Sequence, residues 1–237
     1  MNATTTERPS AEDLRVLAES AGRELDGAPA LDILRWAAET FGPRLCVTSS
    51  MADAVVAHLA SRALPGIDVL FLDTGYHFPE TIGTRDAVAA FVDANVITLT
   101  PRQTVAEQDA EHGPALYARD PDLCCALRKV RVLEAGLAPY DAWATGLRRD
   151  EAPSRADTPV VGWDAKREKV KIAPIAHWTQ ADVEAYVAEH GVLTNPLLQD
   201  GYTSIGCAPC TRRTAEGEDA RAGRWAGTFK TECGLHG

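Results

Sequence analysis

The sequence contains no run of about eighteen consecutive apolar residues, the length that a membrane-spanning helix needs. Its first ten residues also lack the basic start and the apolar stretch of a secretory signal peptide. Both absences predict a cytoplasmic protein that does not cross a membrane. We find no internal repeat and no low-complexity segment, and 24% charged residues are typical of an ordinary globular protein.

The chain also has no excess of positive charge. Its formal net charge is −10, whereas a nucleic-acid-binding protein needs a basic surface to contact phosphates. The acidic excess lies in residues 1–122, with 9 Lys and Arg against 19 Asp and Glu, because residues 123–237 carry 15 of each. We therefore exclude nucleic acid as a partner and expect the groups that bind any small anion in the second half.

Disulfides are not required for stability, because 237 residues are enough to bury a full core as one large domain, or as one domain with a modest extension. The chain nevertheless contains six cysteines. In a reducing cytosol this number points to metal or redox chemistry rather than to disulfides.

Strand-like and helix-like segments alternate along the chain. Short apolar runs predict strands at residues 45–48, 67–72, 95–100 and 141–146, and a hairpin or fifth strand at 160–161 and 170–172. Helical periodicity separates them, and a capping box predicts a helix over Gln180–His190. Because alternating strands and helices require crossover connections, the predicted fold class is α/β, with an open, mostly parallel sheet and helices on both faces.

Four of the six cysteines form two tight pairs, Cys124-Cys125 and Cys207-Ala-Pro-Cys210. A Cys-x-x-Cys pair binds one metal centre, and a second pair completes four soft ligands. Adjacent helical side chains diverge by about 100°, which suits the separate irons of an iron–sulfur cluster better than one zinc ion. Asp122 is predicted to cap the helix of the first pair. Two alternative interpretations of these four cysteines remain open. One is a zinc site, and the other is two buried structural cysteines together with an unrelated redox pair.

The other two cysteines stand apart from these pairs. Cys46 lies in an apolar strand and is interpreted as a small core residue. Cys233 lies close to the chain end with His236 and several arginines nearby, which is the setting of a reactive thiol. The alternative for Cys233 is an incidental cysteine in an unstructured tail.

Residues 48–53, Thr-Ser-Ser-Met-Ala-Asp, follow the first predicted strand, where hydroxyl and backbone N–H groups can bind an anion. The segment lacks the Gly-Lys-Ser/Thr ending of a Walker A loop, and an ordinary serine N-cap is the alternative interpretation. The second predicted strand leads into Asp73-Thr-Gly-Tyr-His-Phe-Pro79. In an open α/β sheet both loops would line one crevice.

The second half of the chain also supplies basic residues, whose guanidinium and ammonium groups are the usual partners of phosphate and sulfate. Each alone is typical of a solvated surface, and only convergence on one site would make them functional. They are Arg128, Lys129, Arg148, Arg149, Arg155, Arg221 and Arg224.

Six motifs occur in order from about Leu45 to the end of the chain: Ser-Ser-Met-Ala-Asp-Ala-Val, Leu-Asp-Thr-Gly-Tyr-His-Phe-Pro-Glu-Thr, Cys-Cys-x-x-Arg-Lys, Thr-Gly-Leu-Arg-Arg-Asp-Glu-Ala-Pro-Ser-Arg, Gly-Tyr-x-Ser-Ile-Gly-Cys-x-Pro-Cys-Thr and Glu-Cys-Gly-Leu-His. Together they resemble the assimilatory adenylyl-sulfate (APS) reductases of the phosphoadenylyl-sulfate reductase family. The resemblance implies an adenine-nucleotide α-hydrolase-like fold with a flexible C-terminal segment. The expected division is a disordered N-terminus at 1–10, a nucleotide-binding α/β domain at 11–206, and a tail at 207–237 that folds over the active site.

The resemblance further implies site residues. A [4Fe-4S] cluster is expected on Cys124, Cys125, Cys207 and Cys210, with Cys233 as the nucleophile. Relatives with both cysteine pairs generally take APS rather than its 3′-phosphorylated form, although some use both. The residues expected to bind substrate are Ser49, Ser50, Asp53, Asp73, Lys129, Arg148, Arg149, Arg221, Arg224 and His236, with the choice between Arg148 and Arg149 left open.

The implied reaction is the reduction of APS to sulfite and AMP by thioredoxin, through an S-sulfo intermediate on Cys233, in sulfate assimilation and cysteine biosynthesis. Three alternatives are kept: a reductase of 3′-phosphoadenylyl sulfate, an ATP-dependent adenylating enzyme of the same fold, and a zinc-stabilised binding or regulatory domain. A homo-oligomer is compatible with the sequence, which does not determine the oligomeric state.

Overall fold

The computed structural model describes residues 8–227, 230 and 232–236. Within them the strands, numbered in chain order, are β1 (Leu45–Thr48), β2 (Ile67–Leu72), β3 (Ala94–Leu99), β4 (Ala142–Thr145), β5 (Val161–Asp164) and β6 (Lys169–Ile172). They form one sheet in the order β3-β2-β1-β4-β6-β5. Every pairing is parallel except that of β5 with β6, which confirms the predicted mostly parallel sheet and its hairpin.

The strand order determines where a ligand can bind. β1 and β4 lie side by side in the middle of the sheet and are buried along almost their whole length, as expected for apolar runs in a parallel sheet. The chain builds the sheet outward from β1 to β2 and β3, and then crosses to β4 on the other side of β1. Open α/β sheets bind their ligands at such a switch point, beside the carboxyl ends of the strands.

Helices cover both faces of the sheet, and a hydrophobic core lies on each side. The smaller core includes Cys46, which is fully buried and accords with its interpretation as a small core residue. No helix among the described residues has both the length and the apolarity that crossing a bilayer requires. The helices are α1 (Ala11–Glu24), α2 (Ala30–Phe41), α3 (Val55–Ala63), α4 (Pro79–Phe91), α5 (Val105–His112), α6 (Leu116–Arg119), α7 (Pro121–Cys125), α8 (Arg131–Gly136) and α9 (Gln180–His190).

The start of α7 differs from the prediction. Asp120, not Asp122, caps this helix, and its side chain accepts a hydrogen bond from the backbone N–H of Leu123 at 2.9 Å. Pro121 occupies the first helical position, where its fixed φ and missing N–H favour a helix start. The helix therefore begins earlier than expected, and Asp122 instead forms an ion pair with Lys230.

Residues 1–7 of the predicted disordered N-terminus lie outside the described residues. The adjoining Arg8 reaches across to the sheet and pairs with Asp141, whose side chain is 1% exposed. Arg44 pairs with the same carboxylate. Asp141 immediately precedes β4, so these ion pairs attach the start of the chain to the amino-terminal edge of the sheet.

We expect Asp141→Asn to lower the free energy of unfolding by about 1–3 kcal/mol, because the buried carboxylate that pairs with both Arg8 and Arg44 is lost. Urea denaturation measures this value. Asp32→Asn is the matched control, since its pair with Arg35 on α2 is more than half exposed on both sides. Equal losses in the two variants would contradict a structural role for the Asp141 pairs.

Candidate active site

A cavity of about 700 Å³ opens at the carboxyl ends of the central strands. Its wall combines the loop after β1, the ends of β2 and β4, one face of α9 and the C-terminal segment. The large cavity brings together nine of the residues predicted from the sequence: Ser49, Ser50, Asp53, Lys129, Arg148, Arg221, Arg224, Cys233 and His236.

The loop after β1 has a tight, buried geometry. Met51 adopts a positive φ of 59° and is fully buried, and its N–H donates to Ser49 Oγ at 3.2 Å. Neither serine caps α3, because the N-cap is Ala54 and the side chain that bonds to the first turn is that of Asp53. The serine N-cap interpretation is therefore wrong, and both serines face the large cavity.

Asn195 holds this loop from a distant part of the chain. Its fully buried side-chain amide donates to the carbonyl of Met51 at 3.1 Å and to Thr81 Oγ1 at 3.0 Å. Its backbone N–H donates to the carbonyl of Ala52 at 2.9 Å. Asn195 is not among the residues predicted from the sequence, since no local pattern links it to residues 49–53.

Asp53 lies at the end of the loop and lines the large cavity. Its Oδ1 accepts a hydrogen bond from the backbone N–H of Val55 at 3.0 Å. Burial raises the pKa of its carboxyl group, and the hydrogen bond from Val55 only partly offsets that effect. Because its pKa is raised, the Asp53 carboxyl group repels a nearby anion less strongly than an exposed aspartate would.

The structure separates Arg148 from Arg149. Arg148 is 9% exposed and lines the large cavity, where its Nε donates to Asp150 Oδ1 at 3.1 Å and its Nη2 to Gln180 Oε1 at 2.9 Å. Arg149 does not line it. Because Arg148 has extended backbone, the next side chain points to the other side, and Arg149 donates to Asp26 and to the Thr158 carbonyl.

Asp73 is the other predicted binding residue that does not line the large cavity. Its Oδ1 accepts a hydrogen bond from the backbone N–H of Gly75 at 2.9 Å, which holds the turn after β2. His77 from the same loop lines the large cavity instead. Burial lowers the pKa of His77, so its imidazole is neutral at physiological pH.

All four paired cysteines line a second, smaller cavity. Cys124 and Cys125 reach it from α7, and Cys207 and Cys210 from the turn that follows residue 206. Burial raises the pKa of Cys124 to about 12 and that of Cys210 to about 11, and repulsion among the four sulfurs adds to the effect. The two pairs, more than eighty residues apart in sequence, are therefore neighbours in space.

The four thiols of this second cavity, the thiol cavity, are the donors that a metal centre with sulfur ligands needs. Within the described part of the chain, no three His, Cys, Asp or Glu side chains converge closely enough to hold one metal ion. Four soft sulfur donors around one small space fit an iron–sulfur cluster, in which each thiolate binds its own iron. Thr74 Oγ1 lies 3.3 Å from the Cys207 sulfur and adds a hydrogen-bonding group beside it.

Lys129 lines both cavities. It lies in a π-helical turn, Ala126–Val130, which continues directly from α7. The wider turn buries both Arg128 and Lys129, at 3% and 9% exposed. Burial opposes the charge of Lys129, but the neighbouring sulfurs of Cys207 and Cys233 outweigh it and raise its pKa, so the side chain is a cation.

The C-terminal tail closes one side of the large cavity. Glu232 accepts hydrogen bonds from Arg155 Nε and Nη2, both at 2.9 Å, and from Arg221 Nη2 at 3.2 Å. The His236 ring stacks on Trp143, with ring centroids 5.8 Å apart and an angle of 9° between the planes. Cys233 lies between these two contacts and lines the large cavity.

Arg224 contacts the segment just before the second cysteine pair, and both line the large cavity. Its Nη1 donates to the carbonyl of Ile205 at 3.2 Å, and its guanidinium group lies 4.5 Å from the ring centroid of Trp225. The backbone N–H of Trp225 donates to the Cys210 carbonyl at 2.9 Å. Arg224 and Trp225 therefore connect the turn of Cys207 and Cys210 to the large cavity.

Comparison with known proteins agrees with this geometry. The profile of the phosphoadenosine phosphosulfate reductase domain matches residues 44–213. A protein of Streptomyces coelicolor named adenosine 5′-phosphosulfate reductase is 78% identical over 237 residues, which is 100% of both chains.

Solved structures extend the comparison to three dimensions. The phosphoadenylyl-sulfate reductase of Candida auris, solved as a phosphate complex, is 29% identical with a TM-score of 0.71, covering 87% of this chain and 99% of that one. An FMN adenylyltransferase of Candida glabrata has a TM-score of 0.56 at 12% identity, over 90% and 71% of the two chains, and shares the fold alone. With its sheet, its two cavities and a family profile that matches most of its length, this chain belongs to the phosphoadenosine phosphosulfate reductase family.

Proposed function

We propose that this chain reduces adenosine 5′-phosphosulfate to sulfite and AMP, with Cys233 as the nucleophile and thioredoxin as the reductant. The observation that carries the proposal is the position of Cys233 in the same cavity as the loop after β1 and the buried cation Lys129. The high identity to a curated APS reductase supports the substrate. No disulfide joins any of the described cysteines, which suits a reducing compartment such as the cytoplasm.

The two sides of the large cavity can bind different parts of the substrate. Ser49, Ser50 and the backbone of their loop offer hydrogen-bond donors to the phosphate at the ends of the central strands. Lys129, Arg221 and Arg224 offer positive charge to the sulfate on the side of the tail. The sulfate sulfur would then lie within reach of the Cys233 thiol.

In the first step the Cys233 thiolate attacks the sulfur of the sulfate group. A new S–S bond forms while the bond from that sulfur to the bridging oxygen breaks, so AMP leaves with the electron pair and S-sulfocysteine remains. The repulsion between thiolate and sulfate opposes this step. Lys129 lies close enough to Cys233 for their charges to interact, and a cation held in this way can contribute about 10²–10³ in rate.

In the second step a thioredoxin thiolate attacks the Cys233 sulfur, and sulfite leaves with the electron pair of the S–S bond. The second thioredoxin thiol then attacks the thioredoxin sulfur of the mixed disulfide and releases Cys233. The two electrons of the thioredoxin dithiol thus reduce the substrate sulfur from sulfate to sulfite. Cys233 is partly exposed, as access by a partner protein requires.

We also propose that the thiol cavity holds a [4Fe-4S] cluster on Cys124, Cys125, Cys207 and Cys210. When bound, the cluster supplies an electrostatic field beside Lys129 rather than electrons to the substrate. The protein's own contribution is to bury Lys129 between the two cavities, so that its ammonium group is held in place without bulk water.

Anaerobically purified enzyme is expected to release sulfite from APS when thioredoxin is present. Cys233→Ser should lower this rate at least about 10³-fold while the iron chromophore stays intact, because only the nucleophile is lost. Cys46→Ala is the matched control, since it removes a thiol that is buried in the core and should keep the activity.

Retained sulfite release by Cys233→Ser would refute the assignment of the nucleophile. Faster release from 3′-phosphoadenylyl sulfate than from APS would assign the other substrate of the family. Release of pyrophosphate from ATP without sulfite formation would favour an adenylating enzyme.

Neighbouring arginines provide a matched pair of variants. Arg148→Gln is expected to lower kcat/KM for APS by about 10²-fold, because it removes a buried cation from the large cavity. Arg149→Gln should change kcat/KM by less than about twofold, since Arg149 faces Asp26 and the Thr158 carbonyl. Steady-state kinetics of both variants decide the matter, and equal effects would be incompatible with the separation of the two side chains.

Metal analysis tests the thiol cavity. Anaerobically purified protein should contain about four irons per chain and show a visible iron–sulfur absorption band. Cys207→Ser should lose most of the iron and the absorption band, because Cys207 lines the thiol cavity. Cys46→Ala should keep both, because Cys46 lies in the smaller hydrophobic core and does not line that cavity. A colourless protein with one zinc per chain would refute the cluster.

A further inference from the structure

The tail is held on both sides of Cys233. On one side Glu232 forms its ion pairs with Arg155 and Arg221. On the other side Leu235 packs against the smaller core, and the His236 ring lies on Trp143. These contacts leave the Cys233 thiol at the large cavity.

A lysine of the sheet completes the second contact. Lys171 Nζ donates a hydrogen bond to the backbone carbonyl of His236 at 3.1 Å. The same ammonium group lies 5.4 Å from the centroid of the Trp143 ring, within the range of a cation–π interaction. Lys171 therefore contacts both the tail and the surface on which the tail rests.

The register of the sheet puts these groups together. Lys171 on β6 is the direct neighbour of Trp143 on β4. Neighbouring residues of paired strands point to the same face, so the Lys171 side chain lies beside the indole that stacks on His236. Lys171 does not line the large cavity, and its place in the sheet is independent of the tail.

Another cation near the Trp143 ring, Arg167, has a carboxylate partner of its own. Arg167 also lies over Trp143, at 5.7 Å, but its Nη1 pairs with Asp164 at 2.8 Å. Burial lowers the pKa of Lys171 to about 8, so at neutral pH most of the population still carries the charge. Lys171 is thus the sheet cation that bonds to the backbone of the tail.

We infer that Lys171 is a positioning residue, which docks the tail through the His236 carbonyl and the Trp143 ring and thereby holds Cys233 at the large cavity. The catalytic role of Cys233 in this inference rests on the proposed function. The docking of the tail by Lys171 does not depend on that function. Loss of Lys171 should free the tail without removing any group that touches the substrate.

The reactivity of Cys233 in the free holoenzyme measures the docking directly. Iodoacetamide is added anaerobically, and mass spectrometry of the C-terminal peptide gives the rate of Cys233 modification. Lys171→Met should raise this rate about fivefold, as expected from the loss of one hydrogen bond and its cation–π contact. Lys171→Arg, which keeps the charge and the N–H donors, should restore the rate of the unchanged protein.

Kinetics with APS give the second readout. Lys171→Met should lower kcat about tenfold with a smaller change in KM, because the nucleophile is displaced while Ser49, Ser50 and Lys129 keep their places in the large cavity. Lys169→Met is the matched control on the same strand, since its Nζ bonds to the Tyr140 carbonyl and not to the tail. Should Lys171→Met fail to fold, Lys171→Gln replaces it.

An unchanged modification rate in the Lys171 variants would overturn the inference. An equal acceleration in Lys169→Met would also overturn it, because the effect would then belong to the strand as a whole. If the unchanged protein released no sulfite from APS, the proposed function would fail, yet the modification rates would still decide whether Lys171 docks the tail.

Discussion

Lys129 brings a positive charge into a part of the molecule where water cannot solvate it. Burial of such a charge is costly, yet the pKa of Lys129 is raised, because its interactions with the sulfurs of Cys207 and Cys233 outweigh the effect of burial. The π-helical turn after α7 provides the necessary position, because it buries Lys129 between the thiol cavity and the large cavity. The proposed chemistry depends on this placement, since an anionic nucleophile must approach an anionic substrate.

The rest of the site surrounds this cation with groups from distant parts of the chain. The switch point of the sheet supplies the loop after β1, and Asn195 holds that loop in its buried conformation. The tail closes the other side through Glu232 and His236. A mixed set of charges results, in which each arginine near the tail also has a carboxylate or carbonyl partner within the protein. A protein with a net charge of −10 can thereby keep a local site for one small anion.

The fold followed closely from the sequence because its signals are local. Apolar runs located the strands, and the capping box at Thr179 located α9, since both depend on neighbouring residues alone. The start of α7 was misjudged because the choice between Asp120 and Asp122 depends on Pro121. The π-helical turn was not foreseen either, because no local sequence pattern predicts such a turn.

By itself the sequence determined the fold class, the family resemblance, the two cysteine pairs and the outlying thiol Cys233, because motifs and spacing carry that information. Only the tertiary structure decided which charged groups share a cavity. It placed Arg148 in the large cavity and Arg149 outside it, and it brought Lys171 beside the tail. The physical reason is that a side chain's environment depends on contacts between residues far apart in the chain, which local patterns do not encode.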